Sequence, residues 1–137
     1  MQPTLPFAPE QGFDALLGLV ITAADTEAGS ISAEVEIGPQ HLQPAGLVHG
    51  GVLASIAETL ASMGTWIAVQ ADGMSAQGLS NQTSFLRPLF SGKIHATATP
   101  RHRGRTTWVW EVEITDDDER LCALVRMTIA VRPLPQD

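Results

Sequence analysis

The sequence is short of cations where most chains have them: residues 1–86 contain no Lys or Arg, and all eight lie from Arg87 onward. With a formal net charge of −7, it lacks the clustered positive charge that a phosphate backbone needs, so nucleic acid is excluded as an expected partner. A single cysteine, Cys122, permits no internal disulfide and points to a reducing compartment. Nothing in its neighbourhood has the character of a base, so Cys122 reads as a strand residue and not as a nucleophile. No two His residues stand at i, i+4 on a predicted helix and there is no Cys cluster, so no metal site is expected and a metal hydrolase is disfavoured. The opening segment carries Pro3, Pro6, Pro9 and Glu10, with no Lys or Arg. It is unlike a secretory leader, and a cytoplasmic location is the expectation. The only long apolar run is interrupted by Ser55, Glu58, Thr59, Ser62 and Thr65, which argues against a membrane span. There is no internal repeat or low-complexity tract. A length of 137 residues, 44% hydrophobic and 17% charged, fits one domain spanning 1–137 with one core.

Residues 1–11 read as an irregular arm. A short helix is predicted over 13–17 and a strand over 18–24. Over 30–37, Ile31, Ala33, Val35 and Ile37 alternate with Ser32, Glu34 and Glu36, the pattern of a half-buried strand with one wet face. A loop over 39–46 leads into a long helix that breaks at 70–76. Four more strands are predicted, over 77–86, 93–101, 106–115 and 121–132. In the third of these, Trp108, Trp110, Val112 and Ile114 alternate with Val109, Glu111 and Glu113. The acidic run 116–119 reads as a solvated hairpin turn and not as a metal site. Two strands, one long helix and four strands make an α+β domain, an antiparallel sheet wrapped around one helix.

The chain is organised around residues 43–69. On a 3.6-residue period Ile56, Leu60, Met63 and Ile67 share one side, with Val52 and Leu53 beside them, which is the stripe of a helix packed on a core. The opposite side centres on Glu58 and holds Gly51, Ala54, Ser55, Ala61, Ser62, Thr65 and Val69. A solvated face would carry Lys, Arg and several Glu or Gln, so this face is expected to be covered as well. A carboxylate on a covered face is costly unless it is hydrogen-bonded. Glu58 is therefore a functional candidate, the alternative being a structural Glu that ties the helix to a neighbouring loop or subunit. At the helix entry, Gly50 and Gly51 allow close approach, and the first N–H groups have no intrahelical partner. Such donors, at the positive end of the helix dipole, stabilise a carbonyl oxygen that is gaining negative charge. A donor loop followed two turns later by a carboxylate suggests acyl transfer.

The run His49-Gly50-Gly51 with an acidic residue nine positions after the His is similar to the motif of hotdog-fold acyl-CoA thioesterases. It resembles the group that includes 4-hydroxybenzoyl-CoA, 1,4-dihydroxy-2-naphthoyl-CoA and phenylacetyl-CoA thioesterases. Gln43, His49, Gly50, Glu58 and Ser62 fit the glutamate branch of that group at every position. The downstream stretches Phe85-Leu86-Arg87-Pro88, Gly92-Lys93 and His102-Arg103-Gly104-Arg105-Thr106 extend the likeness over most of the chain. One departure is that relatives often carry Asn at two alternating positions in the strand before Arg87, where Gln82 and Ser84 stand here.

The resemblance implies a hotdog fold, an antiparallel sheet around one long central helix, and hydrolysis of an aromatic or medium-size acyl-CoA to free acid and CoA. In that reading the Gly50 amide and the Gln43 side chain hold the thioester oxygen, and Glu58 is nucleophile or general base. Ser62, one turn beyond Glu58, is placed to hydrogen-bond the carboxylate or a water. His49 orients the loop or assists the departing thiolate, or is a satisfied loop histidine. His41 has no assigned task. Five cations, Arg87, Lys93, Arg101, Arg103 and Arg105, fall within 19 residues, a local patch that suits a small polyphosphate such as coenzyme A. The other reading is solvated strand-edge and turn residues. Gly51, Met63, Phe85, Arg87, Arg103 and Arg105 are the expected contacts to the acyl group and CoA, although Met63, Trp66 and Phe85 equally suit a core. No cofactor is expected, coenzyme A being part of the substrate. The family places its active site between subunits, which implies a homodimer or a homotetrameric dimer of dimers. The alternatives are a hotdog dehydratase or hydratase, whose loop motifs are absent here, and a non-catalytic acyl-CoA-binding protein.

Overall fold

Alternation along the strands sets which face of the sheet is apolar. Ile31, Ala33 and Val35, then Ile94, Ala96 and Ala98, then Trp108, Trp110, Val112 and Ile114 are all buried, and the residues between them are half-buried or exposed. A computed structural model describes residues 11–25 and 27–135. The reading of 1–11 as an arm lies almost wholly outside them. The elements run α1 (Gly12–Leu17), β1 (Val20–Ala24), β2 (Ile31–Glu36), a 3-10 turn (Pro39–His41), α2 (Gly50–Val69), a second 3-10 turn (Gln70–Asp72), β3 (Met74–Phe85), β4 (Lys93–Arg103), β5 (Thr107–Thr115) and β6 (Leu121–Pro133). The predicted elements are all present, and β3 begins earlier than the pattern indicated because Gly73, at φ +73°, ends the preceding turn directly into it.

The six strands form one antiparallel sheet in the order β1-β2-β4-β5-β6-β3. Strands consecutive in the chain, β2 and β3, are thus separated by three others, and α2 is the connection between them. Ile56 and Leu60 of α2 are almost wholly buried against the apolar sheet face, with Leu53 and Met63 beside them. By length and hydropathy α2 would suffice to cross a membrane, but this stripe is core here.

Close packing of helix on sheet runs along small residues. Ala57 and Ala61 are fully buried, and a Cβ at Gly64 would stand 2.5 Å from the Trp110 ring. Beside it Trp110 Nε1–H donates to Thr65 Oγ1 (2.7 Å), and the Thr65 hydroxyl donates to the Ala61 carbonyl (2.8 Å). A buried indole and a buried hydroxyl are both satisfied in this way.

Register shifts interrupt four strand pairings, at Ile21/Ala23 in β1, Gly78/Ser80 in β3, Pro100/His102 in β4 and Ile114/Thr115 in β5. At the β5–β6 turn, Asp116 accepts from the N–H groups of Asp118 and Arg120 (both 2.9 Å) and from Arg120 Nε (2.8 Å). The Arg120 backbone bond is the first cause of its lowered pKa. The acidic run is a self-capped turn, as its composition indicated.

Candidate active site

The loop that enters α2 is a miniature hairpin. At its base the His49 N–H donates to the His41 carbonyl (2.8 Å), and Leu42 and Val48 form an antiparallel bridge. Toward its tip the Gln43 N–H donates to the Leu47 carbonyl (2.8 Å) and the Gly46 N–H to the Gln43 carbonyl (2.9 Å). Gly46 turns the chain at φ +92°, where a side chain would be strained. The Val48 N–H donates to the Leu89 carbonyl (2.8 Å), which pins the hairpin to the segment after β3. Gln43 Oε1 accepts from the Ala45 N–H. Its amide NH2 is left as a donor with no partner among the described residues.

His49 is the N-cap of α2, in extended conformation. Its Nδ1 accepts from the Gly51 N–H (2.8 Å) and its carbonyl from the Val52 N–H (2.9 Å). Of the first three N–H groups of the helix, only that of Gly50 is left without a partner among the described residues. A Cβ at Gly50 would stand 2.8 Å from the Phe85 ring, so Phe85, 58% exposed, packs against Gly50. A Cβ at Gly51 would stand 2.9 Å from His49 Nδ1. Gly51 therefore serves the cap, and its N–H is not available to a ligand.

Glu58 departs from expectation. Its face of α2 is not uniformly covered within the chain: Ala61, Thr65 and Val69 are buried, Ala54, Ser55 and Ser62 half-buried, and Gly51 and Glu58 exposed. The C-terminal part of this face is closed where Thr65 meets Trp110, whereas near Glu58 it borders β3, the edge strand of the sheet. The Glu58 carboxylate makes no hydrogen bond or ion pair with any described residue. It rests against Gly78 of β3, where a Cβ would stand 3.5 Å from Glu58 Cδ. A groove of about 320 Å³ beside it is lined by Asp14, Thr59, Ser62, Met63, Trp66 and Ala76. A smaller hollow of about 160 Å³ on its other side reaches Phe13, Ala54, Ser55 and Asn81. Ser62 shares the groove but makes no hydrogen bond to Glu58. Met63 lines the groove while 97% withdrawn into the core, its relative exposure being 3%.

Two residues that spacing did not single out flank the acid. Asp14 of α1 accepts from the Thr59 hydroxyl (2.9 Å), next to Glu58, across 45 residues of chain. Asn81 donates to the Ala54 carbonyl (3.0 Å) and accepts from Thr83 (2.7 Å). The bulge at Gly78/Ser80 shifts the alternation of β3 by one residue, so Asn81 meets the helix while Gln82 accepts from Arg126 on the neighbouring strand. Gly78 inside the strand is a local mark of the bulge, whereas no local signal marks the Asp14 contact.

The five cations do not form a patch. Lys93 and Arg103 stand at opposite ends of β4, roughly 30 Å apart at the rise of a strand. Lys93 pairs with Glu34 (2.9 Å) and Arg101 with Glu111 (2.6 Å), the strand-edge alternative. Arg103 stacks over Trp108 (5.5 Å) and donates to the Ala28 carbonyl (2.6 Å). It lines a cavity of about 250 Å³ with Gly64, Ile67 and Ala68, at the far end of α2 from Gly50. Arg87 and Arg105 are exposed and make no ion pair with any described residue. Arg87 follows Phe85 at the helix entry, whereas Arg105 occupies the β4–β5 turn. Cys122 is fully buried, and burial pushes its thiol up, so it offers no thiolate nucleophile.

This geometry is shared with known proteins. Residues 45–123 match the thioesterase superfamily. The chain is 37% identical over 117 residues to the proofreading thioesterase EntH of Klebsiella pneumoniae, covering 85% of this chain and 83% of that one. Among solved structures, a glutamine-to-alanine variant of thioesterase PA1618 from Pseudomonas aeruginosa superposes with a TM-score of 0.87 at 34% identity, over 92% of this chain and 89% of that one. Thioesterase HI1161 of Haemophilus influenzae gives 0.83 at 34% identity, over 89% and 83%. A six-stranded antiparallel sheet on one long helix is in this chain the hotdog fold of a thioester hydrolase that belongs to the thioesterase superfamily.

Proposed function

We propose that the chain hydrolyses the thioester of an aromatic or medium-size acyl-CoA, with Glu58 as nucleophile or general base and the Gly50 N–H plus the Gln43 amide as the oxyanion donors. The observation that carries the reading is two unused donors in the loop and at the helix entry: the Gly50 N–H and the Gln43 NH2 have no partner among the described residues, while the N–H groups of His49, Gly51 and Val52 are engaged. Such donors act where the carbonyl oxygen becomes negative, in the tetrahedral intermediate. The carboxylate either attacks the carbonyl carbon or takes a proton from an attacking water; collapse of the intermediate expels the thiolate, and the products are the free acid and CoA. His49 orients the donor loop as its cap. Ser62 stands in the groove near the attacking group.

Gly50 and Glu58 of one chain are separated by eight residues of helix, about 12 Å of rise. A reacting carbonyl must sit near 3 Å from both donor and attacking group. The separation supports a site made from two copies, the hairpin of one facing Glu58 of the other. The sheet edge supports it as well. β3 runs for 12 residues at the edge with no Lys, Arg, Asp, Glu or Pro, so it has none of the charges that keep an edge from pairing. A homodimer, or a dimer of dimers, is the proposed assembly. Trp66 and Met63 along the groove suit an apolar acyl group, and its volume lies at the small end of ligand sites. Arg87, Arg105 and Arg103 are the proposed contacts to the CoA phosphates, Arg87 near the entry of α2 and Arg103 near its far end. A reducing cytoplasmic setting suits the unpaired Cys122.

Thiol release from benzoyl-, hydroxybenzoyl-, phenylacetyl-, naphthoyl- and medium-chain acyl-CoAs, on wild type and Glu58→Gln side by side, tests the proposal. Turnover that disappears in the variant supports it. CoA binding without turnover on any member points to a binding protein, and turnover that survives the substitution removes Glu58 from the chemistry.

A further inference from the structure

We propose that His41 is a positioning residue of the active site, the anchor that holds the base of the donor hairpin and through it the Gly50 N–H. The inference rests on the reading of Gly50 and Gln43 as oxyanion donors.

His41 is 2% exposed, and every polar atom it has is engaged. Its N–H donates to the Gly38 carbonyl (3.0 Å), and its carbonyl accepts the His49 N–H (2.8 Å). In the ring, Nδ1 accepts from the Gly38 N–H (2.9 Å), so the ring hydrogen stands on Nε2, which lies 2.8 Å from the Leu17 carbonyl and donates to it. Leu17 is the last residue of α1, and its carbonyl is one of the helix-end acceptors that need a partner from outside the helix. An apolar side chain of similar size would fill the space and leave that buried carbonyl unpaired.

The ring is thus fixed from two directions, by the turn before the hairpin and by the end of α1. What it fixes is its own backbone, and the His41 carbonyl is the closing bond of the hairpin. His49, on the other side of that bond, caps α2, and Gly50 follows it directly. A shift at His41 is therefore carried to the donor within two residues of the closing bond. The same helix α1 carries Asp14, which holds Thr59 beside Glu58. His41 joins both flanks of the chain's catalytic equipment without being placed to touch a substrate.

His41→Leu, His41→Gln and His41→Asn test this, with kcat and KM taken per folded molecule and amide hydrogen exchange read at Gly51 and Val52. Gln retains a donor for Leu17 and Asn an acceptor for Gly38. For His41→Leu, kcat is expected to fall about 10- to 100-fold, the cost of misplacing a catalytic donor by a fraction of its contact distance. KM is expected to stay within about threefold. Exchange at Gly51 and Val52 accelerates, and Gln or Asn restores part of both readouts. If the Leu variant does not fold, the Gln and Asn variants carry the comparison, with about 3- to 10-fold losses in kcat expected. Wild-type kcat and exchange in the folded variants, or a lowered melting temperature with kcat per folded molecule unchanged, overturns the proposal. The exchange data need no substrate. A wild type that hydrolyses nothing would therefore sink the donor reading, while exchange still decides whether His41 holds the hairpin.

Discussion

The two halves of α2 follow opposite rules. In the C-terminal half Gly64 lies under Trp110, and Thr65 links the Trp110 indole to the Ala61 carbonyl. In the N-terminal half the Gly50 N–H and the Glu58 carboxylate, and in the loop before it the Gln43 NH2, have no partners among the described residues. On the proposed roles, stability is built at one end of the helix and the reacting groups stand at the other. Substitutions in the two halves should therefore fail in different ways.

The sharpest contrast is between Glu58→Gln and Gly64→Ala. Glu58→Gln should reduce kcat by at least about 10²-fold, as loss of a general base or nucleophile does. Its melting temperature should stay close to wild type, since an exposed, unpaired side chain contributes little to stability. Gln43→Ala comes next. Loss of one oxyanion donor lowers kcat by about 10²-fold, seen in steady-state kinetics with little change in KM. Gly64→Ala should do the reverse and cost about 1–3 kcal/mol in denaturant unfolding, because the added methyl meets a ring that cannot move. Its kcat per folded molecule should be that of wild type. If Gly64→Ala lowered kcat without lowering stability, the division between the halves would be wrong.

The smallest effect is predicted at the β5–β6 turn. Asp117 accepts from His95 (2.8 Å) and from the Lys93 N–H (3.1 Å), and the His95 bond is the first cause of its lowered pKa. Asp116 is lowered too, first by the Arg120 backbone. Groups with depressed folded-state pKa values contribute stability that is present above the ordinary Asp range, near 3.9, and lost as pH falls through the folded values. The melting temperature of wild type should therefore drop below about pH 4 more steeply than that of Asp116→Asn. Equal slopes would show that the turn does not take part.

Much of this was legible beforehand because its signals are local. The alternation of Trp108, Trp110, Val112 and Ile114 marks β5 by itself, and His49-Gly50-Gly51 marks the helix entry because capping and orphan donors are properties of adjacent residues. What was misread depends on where elements meet. A helical wheel showed that the Glu58 side carries small residues, but the same small residues serve for close packing near Thr65 and for exposure near Gly51. Five cations close in sequence became remote because a strand extends its residues by more than 3 Å each. The bulge in β3 sets Asn81 against the helix and Gln82 toward Arg126, which the alternation of the strand alone does not give. His41 stayed without a task because its partners, Leu17 and Gly38, lie in segments that only the fold brings together.

The strand order also has a bearing on the timing of synthesis. β3 supplies Gly78 beside Glu58 and Phe85 against Gly50, yet within the chain it pairs only with β6. While the ribosome is still adding residues 121–133, the helix and both of its flanking hairpin contacts exist as chain, but the wall of the reactive groove has nothing to pair with. A nascent chain stalled before β6 would lack both the wall of the groove and the core residues Val125, Met127 and Ile129.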